Sequence, residues 1–142
     1  MSDFEPVVVV FACDYCAYTA ADVAGRMNLS YPAGVRLLRV PCTGKVEQQY
    51  IMRALEKGAD GVMVAGCLVG DCHFKNGNLR AAARVERVQS VLDYIGIGGE
   101  RVAMVNVSAG QGAKFAEIAT EFSQKIGEMG PNPIKQGAKA AA

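Results

Sequence analysis

Residues 7–18 read "VVVVFACDYCAY", an apolar run that ends directly in a Cys-x-x-Cys pair. The run is too short to cross a membrane and is continuous rather than alternating in hydrophobicity, which suits a strand buried on both faces of a parallel sheet. Three further runs have the same character: "VRLLRV" (35–40), "GVMVAG" (61–66) and "RVAMVNV" (101–107). Between and after them lie helical patterns. Val85, Val88, Leu92 and Ile95 recur at three- and four-residue steps, as do Phe115, Ile118, Phe122 and Ile126, so each set forms one stripe for a sheet to cover. A helix over about 18–28 is Ala-rich, with Val23 and Met27 as its anchors. Another carries Val46, Tyr50, Ala54 and Lys57 along one line, with Ile51 and Leu55 beside it.

Strand and helix alternating four times call for an α/β fold of a single domain, a four-stranded parallel sheet flanked by helices in the flavodoxin-like order 2-1-3-4. Ser108 and Gln111 have the spacing of a capping box, which predicts a helix starting near residue 109. The domain is expected to span 1–128. Residues 129–142, with two prolines, two lysines and few large apolar groups, read as an extended C-terminal tail or partner-binding arm.

With 142 residues and 51% hydrophobic content, the chain can bury a real core. A formal charge of +1 gives no whole-molecule reason to bind nucleic acid or a membrane surface. The acidic start "MSDFEP" lacks the basic region of a signal peptide, so a cytoplasmic protein is expected. In that compartment the five cysteines, at 13, 16, 42, 67 and 72, are better read as metal ligands or redox groups than as structural disulfides. The single histidine, His73, excludes a Rieske centre or a two-histidine zinc site within one chain.

Cys13, Cys42 and Cys67 each follow a strand, and parallel strands all finish on one edge, the edge where such sheets place ligands. Cys16 and Cys72 lie a few residues beyond and can fold back over it. A 2Fe-2S cluster needs four thiolates, and pairs close in sequence, Cys13 with Cys16 or Cys67 with Cys72, can serve one iron each. Cys42 could replace Cys16. Two other chemistries stay open: a closed four-sulfur zinc site, whose commonest signature has shorter second spacing than 67 to 72, and a thioredoxin-like thiol-disulfide pair in which Cys13 attacks and Cys16 resolves. The latter leaves Cys42, Cys67 and Cys72 without a task.

The motifs "CDYCAY", "RVPCTGKV" and above all "GCLVGDCHFKNGN" resemble the delta, iron-sulfur subunit family of methyl-viologen-reducing hydrogenase, over about residues 6–130. That resemblance implies a 2Fe-2S electron carrier without turnover of its own, with Cys13, Cys16, Cys42, Cys67 and Cys72 as the ligand candidates. It also implies two partners in methanogenesis. Electrons would come from the small subunit of a nickel-iron hydrogenase, or from a formate dehydrogenase, and pass to the flavin-containing subunit of heterodisulfide reductase. Where relatives often carry His-Pro in the last motif, this chain has Leu68 and Val69, a change expected to alter polarity and not ligation.

Other residues have plainer readings beside functional ones. His73 is either a hydrogen-bond donor toward a cluster sulfur or a loop histidine bonded to backbone. Arg80, Arg84 and Arg87 form a stripe that is a solvated helix face or a docking face for an acidic partner. Asp14 and Asp71 could cap loops. "SAGQGAKF" (108–115) lacks the third glycine of a dinucleotide fingerprint and the Lys-Ser/Thr end of a P-loop, so it reads as a strand-to-helix turn. The six methionines are scattered through apolar positions and read as core packing.

Overall fold

A computed structural model describes residues 4–68 and 76–134. The elements run β1 (Val8–Cys13), α1 (Ala17–Arg26), β2 (Val35–Val40), α2 (Gln48–Glu56), β3 (Gly61–Gly66), α3 (Gly77–Tyr94), β4 (Val102–Asn106) and α4 (Gly112–Met129), with short 3-10 turns at Thr43–Lys45 and Gly99–Arg101. All strand pairs are parallel and the order is β2-β1-β3-β4, as the alternation of elements predicts. The valine-rich β1 and β3 occupy the centre, and every residue of β3 is buried. β2, at an edge, exposes Arg36, Leu38 and Arg39.

Side chains of successive strand residues point to opposite faces, and the two faces have separate cores. Val8, Val10, Met63 and Ala65 pack with α1 and α4 through Ala20, Phe115 and Ile126. Phe11, Val62 and Val64 pack with α2 and α3 through Ile51, Leu55, Val85, Val88 and Leu92. Each fully buried side chain of this size is worth about 1.5–3 kcal/mol. The result is a sheet between two helical layers.

Several local expectations shift. In α1 the buried face is Ala17, Ala20, Ala21 and Ala24, while Met27 is exposed. The small residues allow close approach to α4: a Cβ on Gly112 would stand 2.8 Å from the Ala24 nitrogen, so no larger residue fits there without displacing a helix. In α2 the core is filled by Ile51 and Leu55 and not by Tyr50, which is half exposed. Ile95 caps the end of α3 and is likewise half exposed, the helix ending one residue earlier at Tyr94. α4 starts at Gly112 and not near 109. Gln111 turns back so that its Oε1 accepts the Ser108 N–H at 2.9 Å, which is the reciprocal half of a capping box, but the intervening residues form a turn.

The first residues of the stretch read as a tail are docked on the body. Asn132 is fully buried: its amide nitrogen donates to the Leu55 and Ala59 carbonyls (3.0 and 2.9 Å), and its N–H donates to Asp60 Oδ1 (3.0 Å). Arg101 donates to the carbonyls of Asp60, Gly130 and Pro131. Asp60 Oδ2 accepts the Val7 N–H at 2.9 Å. These groups knot the starts of β1, β3 and β4 to the segment after α4, at the amino edge of the sheet. Residues 135–142 lie outside the described residues.

Candidate metal centre

At the opposite, carboxyl edge, β1 ends in Cys13 and β3 is followed at once by Cys67. The strands are neighbours with Ala12 level with Ala65, so the two residues stand almost side by side. Their Sγ atoms are 3.7 Å apart and both residues are buried, at 2% and 1% exposure. Cys13 Sγ also lies 4.0 Å from the Pro41 carbonyl. No disulfide joins Cys13, Cys16, Cys42 and Cys67 to one another.

The other two described cysteines sit around this pair. Cys16 is the N-cap of α1, half buried, with its N–H on the Cys13 carbonyl at 3.3 Å. Cys42 is buried, and its Sγ accepts the Gly44 N–H at 3.4 Å. It lines an open cleft of about 220 Å³ with Gly44, Lys45, Gly77 and Arg80. β2 and β3 flank β1 on opposite sides, so their ends are two strand spacings, roughly 10 Å, apart. The turn after Cys42 leans back over that gap: a Cβ on Gly66 would stand 3.0 Å from Thr43 Oγ1, and one on Gly44 3.0 Å from the Gly77 Cα. Cys72, His73 and Asp71 lie outside the described residues. Among the described residues no group of three or more Cys, His, Asp or Glu is placed to hold a metal ion.

The expected pairing by sequence neighbours therefore has a rival in space, a pair drawn from two strands. Two sulfurs bound to one tetrahedral metal at about 2.3 Å stand about 3.8 Å apart. The Cys13–Cys67 separation fits that geometry. The Cys13 thiol is pushed up from its ordinary value, chiefly by burial and further by Cys67, against the lowering influence of the Tyr15 and Cys16 amides. An attacking thiol of the thioredoxin type needs the opposite shift. In the metal-free chain at neutral pH, iodoacetamide is expected to modify half-buried Cys16 well before Cys13, as peptide mass spectrometry would show. Faster labelling of Cys13 would contradict this environment.

Three residues at this edge escape a reading by motif. Asn78, 2% exposed, donates its amide to the Cys67 and Leu68 carbonyls (3.0 and 3.1 Å). Asn106, the last residue of β4, donates to the same Cys67 carbonyl at 2.6 Å. Arg84, from the arginine stripe, is not simply solvated: it donates to the carbonyls of Gly44 and Val46 and so ties the Cys42 turn to α3. Asn78 belongs to the "NGN" end of the cysteine motif, the one signal that could have singled it out. Asp14 forms an exposed ion pair with Arg39 at 2.7 Å, and Arg39 lies over the Tyr18 ring.

The family model described as methyl-viologen-reducing hydrogenase, delta subunit, matches residues 8–130. The chain belongs to this delta-subunit family. It is 47% identical over 129 residues to the iron-sulfur subunit of the F420-non-reducing hydrogenase of Archaeoglobus profundus, covering 91% of this chain and 94% of that one. It is 47% identical over 131 residues to the vhu iron-sulfur subunit of the F420-non-reducing hydrogenase of Methanococcus maripaludis, covering 92% and 98%. A third relative matches over a segment of a larger protein. One of the subunits of the ferredoxin:CoB-CoM heterodisulfide reductase of Methanosarcina mazei is 36% identical over 126 residues, 89% of this chain but 16% of that one. Among the described residues of this member of the delta-subunit family, no helix is long and apolar enough to cross a membrane.

Proposed function

We propose that this chain is a cytoplasmic electron-transfer subunit that holds one 2Fe-2S cluster at the carboxyl edge of its sheet. The observation that carries the reading is the 3.7 Å contact between two buried thiols from adjacent strands, Cys13 and Cys67, at the spacing of a shared tetrahedral metal. The family and the names of its relatives as iron-sulfur subunits support iron over zinc. Cys13 and Cys67 are the first two ligands, and the remaining two come from Cys16, Cys42 and Cys72. When bound, such a cluster accepts and gives up one electron at a time. The chain's own part is to keep the thiols of Cys13 and Cys67 buried from solvent.

The partners in this reading are those that the family resemblance implies, and the relatives' names support it only as far as a hydrogenase and a heterodisulfide reductase. A hydrogenase, or a formate dehydrogenase, supplies the electrons, and the flavin-containing subunit of heterodisulfide reductase receives them. The chain has no reaction of its own to catalyse. Anaerobic purification of the full chain should give about two irons and two sulfides per chain, a brown colour and a paramagnetic signal on reduction. Colourless protein with one zinc, or metal-free protein with a titratable Cys13–Cys16 dithiol, would overturn it.

A further inference from the structure

The β3 ladder stops at Gly66, whose carbonyl accepts the Val107 N–H at 2.9 Å. Cys67 is the first residue beyond the ladder, and its carbonyl is taken by side chains: Asn106 Nδ2 from β4 at 2.6 Å and Asn78 Nδ2 from α3 at 3.0 Å. Asn78 Nδ2 reaches the next carbonyl, Leu68, as well. The peptide before Cys67 is thus held by backbone and the peptide after it by two amides, so the direction of its Cα–Cβ bond is fixed. Only side-chain rotation remains.

We propose that Asn78 and Asn106 are positioning residues, a two-amide clamp that holds Cys67 Sγ against Cys13 Sγ so that the sulfur pair stands assembled before metal binds. The proposal rests on the reading of Cys13 and Cys67 as ligands. Asn78 also differs in its wiring from Asn132 at the opposite edge. Asn78 Oδ1, buried, has no hydrogen-bond partner among the described residues. Asn132 spans two carbonyls in the same way at the opposite edge, yet its Oδ1 accepts the Ile134 N–H at 3.1 Å and nothing is left over. Asn132 has the wiring of a structural asparagine.

That contrast supplies the control. The full chain and its Asn78→Ala, Asn106→Ala and Asn132→Ala variants are reconstituted anaerobically with ferrous iron and sulfide, and three quantities are followed: iron loss to a chelator, the spectrum of the reduced state and thermal unfolding. Asn78→Ala should lose iron about tenfold faster than wild type and show an altered paramagnetic spectrum, as expected when a group orienting a ligand is removed. Asn106→Ala should do the same to a smaller degree. Its position is only half buried, so it carries the test if Asn78→Ala fails to accumulate. Asn132→Ala should unfold at lower temperature with iron loss and spectrum unchanged. Wild-type iron loss and spectra in the Asn78 and Asn106 variants, or equal acceleration by Asn132→Ala, would overturn the clamp while leaving the cluster reading intact. A wild-type chain that takes up no iron would overturn both.

Discussion

Cys67→Ser is expected to leave the full chain without iron, a change from about two irons per chain to none. Its sulfur is one of two that touch at the sheet edge, 3.7 Å from Cys13 Sγ and 1% exposed. A serine oxygen there is a poor substitute, because the hydroxyl keeps its proton where a thiol would give it up to a metal. Cys13→Ser should have the same effect. Neither change removes enough volume to unfold the domain, so circular dichroism of the metal-free chain should stay as in wild type. The other described cysteines have different surroundings. Cys16 caps a helix half in solvent and Cys42 lines a separate cleft, and serine at one of these two is expected to be tolerated. Iron and sulfide analysis with visible spectra decides the matter. A Cys67→Ser chain with a normal cluster would remove the basis of the assignment.

The largest loss of stability is expected far from the thiols, in Asp60→Ala. Asp60 is fully buried and its carboxylate accepts the N–H groups of Val7 and Asn132. Arg101, 3% exposed, has its pKa lowered by burial, and the charge of Asp60 works against that lowering. Removal of the carboxylate strands one buried donor and one part-buried donor and takes away the negative charge that acts on the buried Arg101 guanidinium. Breaking such a buried arrangement costs about 3–5 kcal/mol. For a chain of this length, the melting temperature should fall by about 10 °C or more. Asp60→Asn, which keeps an acceptor but not the charge, should fall between the variant and wild type. Iron per folded chain should be unaffected in both, since the sulfurs lie across the sheet.

The strands and their order were legible because short continuous apolar runs such as "GVMVAG" (61–66), alternating with helical patterns, have few other uses. Faces of helices were harder. In α1 the sequence offers Val23 and Met27 as obvious anchors, yet close packing on Gly112 selects the alanines. That preference depends on the distance to α4, which no local pattern records. The cysteine edge followed from topology, since Cys13 ends one strand and Cys67 directly follows another. Which sulfurs touch did not follow, because it depends on β1 and β3 being neighbours in register and not on spacing along the chain. The Asp60, Arg101 and Asn132 knot joins positions 41 and 72 residues apart and was invisible for the same reason.

That knot fixes where the polypeptide enters and leaves. Val7 is held by Asp60 as the chain enters β1, and Asn132 is held by the same carboxylate as it departs after α4. Both junctions lie at the amino edge, about 20 Å from the sulfurs by the rise of a six-residue strand. A module with adjacent ends remote from its reactive face can be spliced into a longer polypeptide without covering that face, like a plug-in unit. In the Methanosarcina mazei reductase protein the matching segment makes up 16% of a longer polypeptide.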